Sequence, residues 1–256
     1  MTVSDTAALA AIGAAARELK LPTVRADAAR LAEVAVRERQ THLAYLAELL
    51  AAEIDDRTGR RRTRRIADAR FPRIKRLADF NTDAIPGIAA TFATLAAGAW
   101  IDAGQPLVLL GDSGTGKTHL LIGLGLAACE QGRRVRYATT AALVNELAEA
   151  AGQRQLSRVV ARYGRLDLLL LDELGYVQLD PRGAELLFQI ITEREERASI
   201  AIGTNLPFSE WGTVFPDPRL VAAIADRVTF NAHIIETGTR SYRLATSTTS
   251  SRKRAS

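Results

Sequence analysis

A glycine-rich segment near the middle of the chain places the strongest limit on the fold. It follows an apolar run, opens a helix-forming stretch and consists of Gly111, Asp112, Ser113, Gly114, Thr115, Gly116, Lys117 and Thr118. In such a strand-to-helix turn, backbone N–H groups curl around phosphates, aided by the partial positive charge of the helix N-terminus. The lysine reaches the β- and γ-phosphates, and the threonine hydroxyl ligates Mg²⁺. The segment therefore predicts a nucleoside triphosphate site on an α/β fold.

Short apolar runs alternate with helix-length segments through this part of the chain. The runs, which we expect to be strands, are 106–111, 134–139, 166–172 and 199–205, and the segments between them are 116–131, 140–163 and 181–197. A short helix near 218–227 and two short strands around Ile234 and Tyr242 are expected to follow. Apolar strands that alternate with helices indicate a parallel sheet with helices on both faces.

Polar residues follow two of the predicted strands. Asp172 and Glu173 end the run LDLLLLDE. Asp172 is placed to hold Mg²⁺ through its water shell, and Glu173 is placed to polarise an attacking water. Solvated acids at a strand end are the simpler alternative, but behind a phosphate loop this pair favours hydrolysis over phosphoryl transfer to a small molecule. Asn205 ends another run, where it orients the water, contacts the γ-phosphate or only forms a turn.

The first third of the chain has a helical composition. Ala, Leu, Arg and Glu dominate residues 7–56, and their apolar positions recur at helical spacing. Pro22 is expected to separate a short first helix from a longer second one. The basic stretch that follows is expected to stay helical to Ala69, and residues 77–86 are expected to form a linker.

The net charge of +5 hides an uneven distribution. Residues 57–76 carry +9, the tail residues Arg252, Lys253 and Arg254 add +3, and the remainder of the chain sums to −7. A basic helix of this kind binds DNA phosphates with little sequence readout. A solvated helix face and a partner-binding surface remain alternatives. The candidate DNA contacts are Arg60, Arg61, Arg62, Arg64 and Arg65.

The composition excludes several classes of protein. With 47% apolar and 25% charged residues, the chain is typical of soluble globular proteins and not of disordered ones. The lone cysteine, Cys129, cannot form an intrachain disulfide, which favours the cytosol. No apolar stretch approaches the roughly 18 residues of a membrane span, and the N-terminus lacks the basic start of a secretory signal. We therefore expect a cytoplasmic protein without a membrane partner.

The motifs, in this order and spacing, resemble AAA+ ATPases of the helicase-loader clade, and among them the IstB-like transposition helpers, relatives of the helicase loader DnaC. The resemblance rests on GKTHL (116–120), DELGYVQLD (172–180), GAELLFQII (183–191), TNLPFSEW (204–211), Asp226-Arg227 and Ser241-Tyr242-Arg243. It implies an AAA+ parallel sheet with helices on both faces over 77–244. We expect a small all-helical domain over 1–76 before it and, from the Ser/Thr-rich basic composition of 245–256, a disordered tail after it.

The resemblance also implies roles for individual residues. The residue that matches Arg227 is the arginine finger, which enters the nucleotide site of a neighbouring subunit, although a salt bridge with Asp226 is the simpler alternative. Arg243 matches the second sensor, which touches the nucleotide phosphates in its own subunit. His119 belongs to the family's loop-to-helix sequence.

By resemblance, the chain is expected to be an ATPase that uses ATP and Mg²⁺. It is expected to form homo-oligomeric rings or filaments on duplex DNA and to help a partner transposase use that DNA as a target. Three alternatives stay open: a DnaC-like helicase loader, an ATP-binding assembly switch with negligible turnover and a small-molecule kinase. The kinase is the weakest, because it leaves the basic segment and Arg227 unexplained.

Overall fold

Three helices make up the N-terminal region of the computed structural model, which describes residues 3–82 and 88–238. They are α1 (Val3–Glu18), α2 (Pro22–Arg37) and α3 (His42–Ala69). Pro22 begins α2, where its fixed φ suits the first turn and its missing N–H leaves no bond unmade. The prediction of one longer helix after Pro22 is wrong. The chain turns again at residues 38–41, where Arg39 has a φ of 52°.

A buried carboxylate joins α3 to the start of α2. Glu53 is 3% exposed, and its Oε2 accepts hydrogen bonds from the N–H groups of Thr23 (2.8 Å) and Val24 (3.2 Å). These N–H groups lie in the first turn of α2, so they have no partner within that helix. The negative charge also complements the positive end of the helix dipole. Leu31 and Leu49 form part of the apolar core beside it.

The region between residues 107 and 236 forms the predicted parallel sheet. Its strands are β1 (Leu107–Leu110), β2 (Val135–Thr139), β3 (Leu168–Leu174), β4 (Ser199–Thr204) and β5 (His233–Glu236). They pair in the order β2-β3-β4-β1-β5, and each pairing is parallel. All five strands therefore end at the same edge, which brings together residues that are distant in sequence.

Helices cover both faces of the sheet, which confirms the predicted architecture. They are α4 (Ile88–Ala97), α5 (Ala99–Asp102), α6 (Lys117–Glu130), α7 (Thr140–Gly152), α8 (Leu156–Gly164), α9 (Pro181–Arg194) and α10 (Pro218–Thr229). Along β3, Leu168 and Leu170 pack into one apolar cluster with α6, and Leu169 and Leu171 pack into another with α7 and α9. Successive leucines point to opposite faces because side chains alternate along a strand.

The segment 140–163, predicted as one helix, is two helices. Arg154 lies between the two helices in the left-handed conformation, with a φ of 58°. Its N–H donates to the carbonyl of Ala151, and the N–H of Gln155 donates to the carbonyl of Ala150 at 2.7 Å. These two bonds close the end of α7 as a Schellman motif, which terminates the helix without a glycine.

The described residues divide into two compact units between Arg64 and Arg65. This division lies within α3, before the expected domain boundary at residue 76. Ile66 and Phe71 explain the difference, because both pack against the apolar cluster that contains α6. Burial of these side chains ties the end of α3 to the unit that contains the sheet.

The segment 77–86, expected to be a linker, begins as a packed 3-10 helix (Leu77–Asp79). Leu77 lies so close to Gly123 of α6 that a Cβ on that glycine would come 2.6 Å from Leu77 Cδ2. The expected strand near Tyr242 and the expected disordered tail at 245–256 lie outside the described residues. Within 3–82 and 88–238, no helix is both long and apolar enough to cross a bilayer.

Candidate nucleotide-binding site

The glycine-rich loop connects β1 to α6. Gly116 directly precedes the helix with a φ of 102°, a left-handed conformation that strains any residue with a side chain. A Cβ at this position would also lie 2.6 Å from the ring of Phe80. The glycine therefore allows α6 to begin at Lys117, which places the first-turn N–H groups of the helix and its positive dipole charge at the loop.

Residues that follow β5 brace this loop. The hydroxyls of Thr115 and Thr237 are 2.7 Å apart, and the N–H of Asp112 donates to the carbonyl of Gly238 at 3.2 Å. Gly111 leaves room for this contact, because a Cβ on it would lie 2.3 Å from Thr237 Oγ1. The loop is thus held in place from the end of the neighbouring strand.

Lys117 is buried, with 7% of its surface exposed. Its Nζ donates hydrogen bonds to the carbonyls of Gly111 (2.6 Å) and Asp112 (2.8 Å). The ammonium group is therefore held against the loop, where it can meet the charge of bound phosphates.

A cavity of about 580 Å³ opens at this edge of the sheet. It is lined by the loop residues Ser113–His119, by Asp172 and Glu173, and by residues from other segments. This volume lies in the range of small-molecule sites. The fold thus brings the two predicted motifs together around one cavity, with Thr118 and Asp172 offering the hard oxygen donors that Mg²⁺ prefers.

The two acids of the second motif have different environments although they are adjacent. The pairing of β3 with β4 shifts register between Leu171 and Leu174, so the acids lie in a bulge. Asp172 is 2% exposed, whereas Glu173 is exposed and has a φ of 62°. Bulges re-aim side chains in this way beside active sites. Asp172 is thereby held inside the sheet, and Glu173 projects to the cavity surface.

Asp172 accepts a hydrogen bond from a tyrosine that the sequence analysis did not identify. Tyr137, on β2, donates its hydroxyl proton to Asp172 Oδ2 at 2.9 Å. Burial, and then the negative charge of Asp172, raises the pKa of Tyr137 above its ordinary value. The hydroxyl therefore stays protonated and acts as a donor.

The segment expected to be a linker contributes a wall of the cavity. Asp79, Phe80 and Asn81 line it, and so does Lys75 from the basic stretch just before this segment. Phe80 packs edge-to-face on His119, with 5.4 Å between ring centroids, while Nε2 of that histidine lies 2.8 Å from the carbonyl of Arg76. Sequence reasoning missed these residues. The helical spacing of Leu77 and Phe80 was the available signal that this stretch packs.

Asn205 lies just beyond β4, but among the described residues it is not part of the cavity lining. Its Oδ1 is buried and has no hydrogen-bond partner in the described part of the chain. It lies beside Gly175, where a Cβ would come within 2.6 Å of that oxygen. The amide therefore contacts the loop that follows Glu173.

Arg227 lies at the opposite edge of the sheet from the glycine-rich loop. It lines a smaller cavity of about 230 Å³ with Pro106, Ala198 and Asn231, which precede β1, β4 and β5. Its Nε pairs with Glu195 at 2.8 Å, rather than with Asp226. The Arg227 guanidinium also covers the ring of Phe188, 5.0 Å from its centroid. Arg243 lies outside the described residues.

The predicted DNA-binding arginines differ in their surroundings. Arg60 pairs with Asp56 at 2.8 Å and with Glu53 at 3.5 Å. Arg61 and Arg62 are exposed, and neither has an ion-pair partner within residues 3–82 and 88–238. Arg64 is also exposed, and Arg65 is half-buried.

Three arginines in the region that contains the sheet form ion pairs with carboxylates. Arg133 pairs with Asp102 at 2.7 Å and Arg134 pairs with Asp167, also at 2.7 Å. Arg162 pairs with Glu146. These pairs leave less positive charge on that region than the sequence alone indicates.

Comparison with known proteins identifies the family. The family described as IstB-like ATP binding protein matches residues 14–250. The chain belongs to this IstB-like family. The resemblance inferred from the motifs is thereby confirmed. Among IstB-like relatives, an insertion-sequence ATP-binding protein of Sinorhizobium fredii is 38% identical over 94% of this chain and 82% of its own length. The IS21 ATP-binding protein of Pseudomonas aeruginosa is 32% identical over 88% of this chain and 86% of its own length.

Solved structures of a helicase loader and of a replication initiator share the fold of this IstB-like protein. The DnaC helicase loader superposes with a TM-score of 0.54 and 17% identity, over 65% of this chain and 98% of the loader. AMPPCP-bound DnaA from Aquifex aeolicus also has a TM-score of 0.54, with 21% identity, over 65% of this chain and 50% of DnaA. At such identities the likeness establishes the fold alone.

Proposed function

We propose that this protein hydrolyses ATP with Mg²⁺, assembles on duplex DNA and helps the transposase of the same insertion sequence to use that DNA. The observation that carries the proposal is the single cavity shared by the glycine-rich loop and the Asp172–Glu173 pair. Membership of an ATP-binding family whose relatives belong to insertion sequences supports the biological setting.

In the proposed reaction, the loop N–H groups and Lys117 hold the phosphates of ATP. Thr118 and Asp172 hold Mg²⁺, which neutralises charge between the phosphates when it is bound. Glu173 accepts a proton from the attacking water, and its exposed side chain at the cavity supports this role. His119 packs against Phe80, and both residues line the cavity.

The wall formed by Lys75, Phe80 and Asn81 is suited to the nucleoside part of ATP. An aromatic ring offers a stacking or edge contact, and an amide can both donate to and accept from a base. Each of these residues lines the same cavity as the phosphate loop.

Residues outside the cavity complete the proposed site. Asn205 orients the water after a small movement, since its Oδ1, which has no partner among the described residues, lies beside the loop that follows Glu173. Arg243 contacts the phosphates of its own subunit. Arg227 lies at the far edge of the sheet, so it serves the nucleotide of a neighbouring subunit. Hydrolysis therefore depends on assembly into a ring or filament.

DNA contact is assigned to the basic part of α3. Exposed Arg61 and Arg62 are the strongest candidates because no carboxylate within the described residues neutralises them. Arg60, Arg64 and Arg65 extend the same basic stretch. Such contacts bind phosphates and give affinity that depends on salt but little on sequence.

The decisive variant is Glu173→Gln, which keeps the shape of the side chain but removes the base. We expect ATP binding and ATP-dependent assembly on duplex DNA to persist, while turnover falls by at least about a hundredfold. Electron microscopy with ATP, ADP or no nucleotide, together with phosphate release, measures both properties.

If Glu173→Gln hydrolyses ATP as fast as the wild-type protein, Glu173 is not the base. ATP-dependent assembly without measurable wild-type turnover would instead indicate an assembly switch. Stable capture of a replicative helicase in place of a transposase would indicate a loader.

A further inference from the structure

The carboxylate of Asp172 is held by groups that lie outside the predicted motifs. From β2, the hydroxyl of Tyr137 donates to Oδ2 at 2.9 Å. From the backbone, the N–H of Glu173 donates to Oδ1 at 3.0 Å. From β4, Gly203 leaves the space that the carboxylate occupies, since a Cβ there would come 2.6 Å from Oδ1. Each oxygen therefore accepts one hydrogen bond, and Gly203 on the other side of β3 leaves room for the carboxylate.

We propose that Tyr137 is a positioning residue that fixes the Asp172 carboxylate in the orientation in which it takes up Mg²⁺ with the nucleotide. The inference rests on the proposed function, because it concerns the metal of the same site. The inference gives a role to a residue on β2, and none of the nucleotide-binding motifs found in the sequence lies on that strand.

Burial makes such a restraint necessary. Asp172 is 2% exposed, so bulk water does not satisfy or orient its oxygens. A carboxylate has about four acceptor positions, and the two donors here use one on each oxygen. One position on each oxygen is left for the metal or its water shell. Rotation of the carboxylate would break the bond to Tyr137 and leave a buried charged oxygen without that donor.

The tyrosine ring and its hydroxyl have separable roles. The ring is half-buried and packs against the apolar cluster that contains α6, while the hydroxyl reaches Asp172. Replacement of Tyr137 by phenylalanine keeps the packing and removes only the donor.

Tyr163 supplies a matched control. It is 1% exposed, and its hydroxyl donates to Glu146 Oε2 at 2.6 Å, so Tyr163→Phe also removes a part-buried tyrosine-to-carboxylate bond. This bond joins α8 to α7 and lies outside the lining of the nucleotide cavity in the described residues. A general effect of losing such a bond will therefore appear in both variants.

The test measures metal affinity directly. Mn²⁺, which replaces Mg²⁺ and is observed by electron paramagnetic resonance, is titrated into each protein with saturating ADP. Nucleotide binding in EDTA and the melting temperature are measured in parallel. For Tyr137→Phe we expect Mn²⁺ affinity to fall about tenfold, as is typical when a partner of a metal ligand is removed. Nucleotide affinity in EDTA should match that of wild type, and Tyr163→Phe should bind Mn²⁺ normally.

Equal Mn²⁺ affinity in Tyr137→Phe and wild type would overturn the inference and leave the proposed function intact. An equal loss in both phenylalanine variants would also overturn it, because the effect would then be one of stability. Wild-type protein that binds ADP but no Mn²⁺ would refute the proposed metal-dependent hydrolysis together with this inference.

Discussion

Glu173 combines an unfavourable backbone conformation with an exposed acidic side chain. A φ of 62° costs a residue with a Cβ on the order of 1 kcal/mol or more, and such strain persists only where the surrounding structure imposes it. Here the bulge in β3 imposes it, and the result is that two adjacent acids occupy a buried and an exposed environment. Residues of this kind cluster at functional sites.

Cys129 gives a prediction at the same scale. It is fully buried in α6, and burial raises the pKa of its thiol to about 12. Because the thiolate is the reactive form, the thiol stays protonated and inert at pH 8. We expect iodoacetamide to label it only on the timescale of unfolding, as followed by mass spectrometry with and without denaturant. Rapid labelling of the native protein would contradict the buried environment of α6.

Helix α3 shows how one element carries two kinds of charge. Its acidic part includes Glu53, which caps the start of α2 and pairs with Arg57 and Arg60. Its basic part begins at Arg57, and the arginines nearest the acids are partly neutralised by them. The positive charge that remains for a partner therefore lies at Arg61 and beyond.

The double variant Arg61→Gln/Arg62→Gln tests that assignment. We expect weaker binding to duplex DNA and a log-log salt slope smaller by about 0.9 for each phosphate that the protein no longer neutralises. Fluorescence anisotropy over a range of salt concentrations measures both. The control Arg25→Gln/Arg37→Gln removes the same charge from exposed positions on α2. Equal effects of the two double variants would show that only net charge matters.

At the scale of the whole molecule, the parallel sheet separates two functional groups. Lys117, Asp172 and Glu173 lie at the carboxyl edge, and Arg227 lies at the amino edge, where Glu195 and Phe188 hold its guanidinium. Arg227 therefore cannot contact the phosphates bound to its own subunit. In the proposed mechanism, a second subunit brings the two groups together.

Mixing experiments test this arrangement. Arg227→Ala subunits keep an intact cavity, and Glu173→Gln subunits keep the arginine. Each variant alone should be inactive. Glu173→Gln lacks the base, and Arg227→Ala lacks the arginine finger, which contributes a factor of roughly 10³–10⁵ in rate. Mixtures should regain part of the wild-type ATP turnover. Arg219→Ala, on the exposed side of α10, should remain active alone. No recovery at any ratio would argue against a shared site.

The sequence was sufficient to predict the phosphate loop, the parallel sheet and the acids of β3, although it missed the helix breaks at residues 38–41 and at Arg154. The position of the phosphate loop follows from its glycines and its place between an apolar run and a helix, and the parallel sheet follows from the alternation of strands and helices. The acids of β3 could be located because they end a run of four leucines. Each of these features depends on residues that are close together in the chain.

The contacts between distant segments depended on tertiary structure. Tyr137 reaches Asp172 because β2 pairs with β3 in the strand order, and an apolar run does not specify its neighbours. Phe80 forms a wall of the cavity because the residues after α3 pack against α6. The short stretch 77–82 contains too few apolar residues for this packing to be predicted from sequence. Arg227 pairs with Glu195 rather than with its sequence neighbour because α10 lies against α9. Packing decides such contacts, since many side chains compete for each partner and burial selects among them.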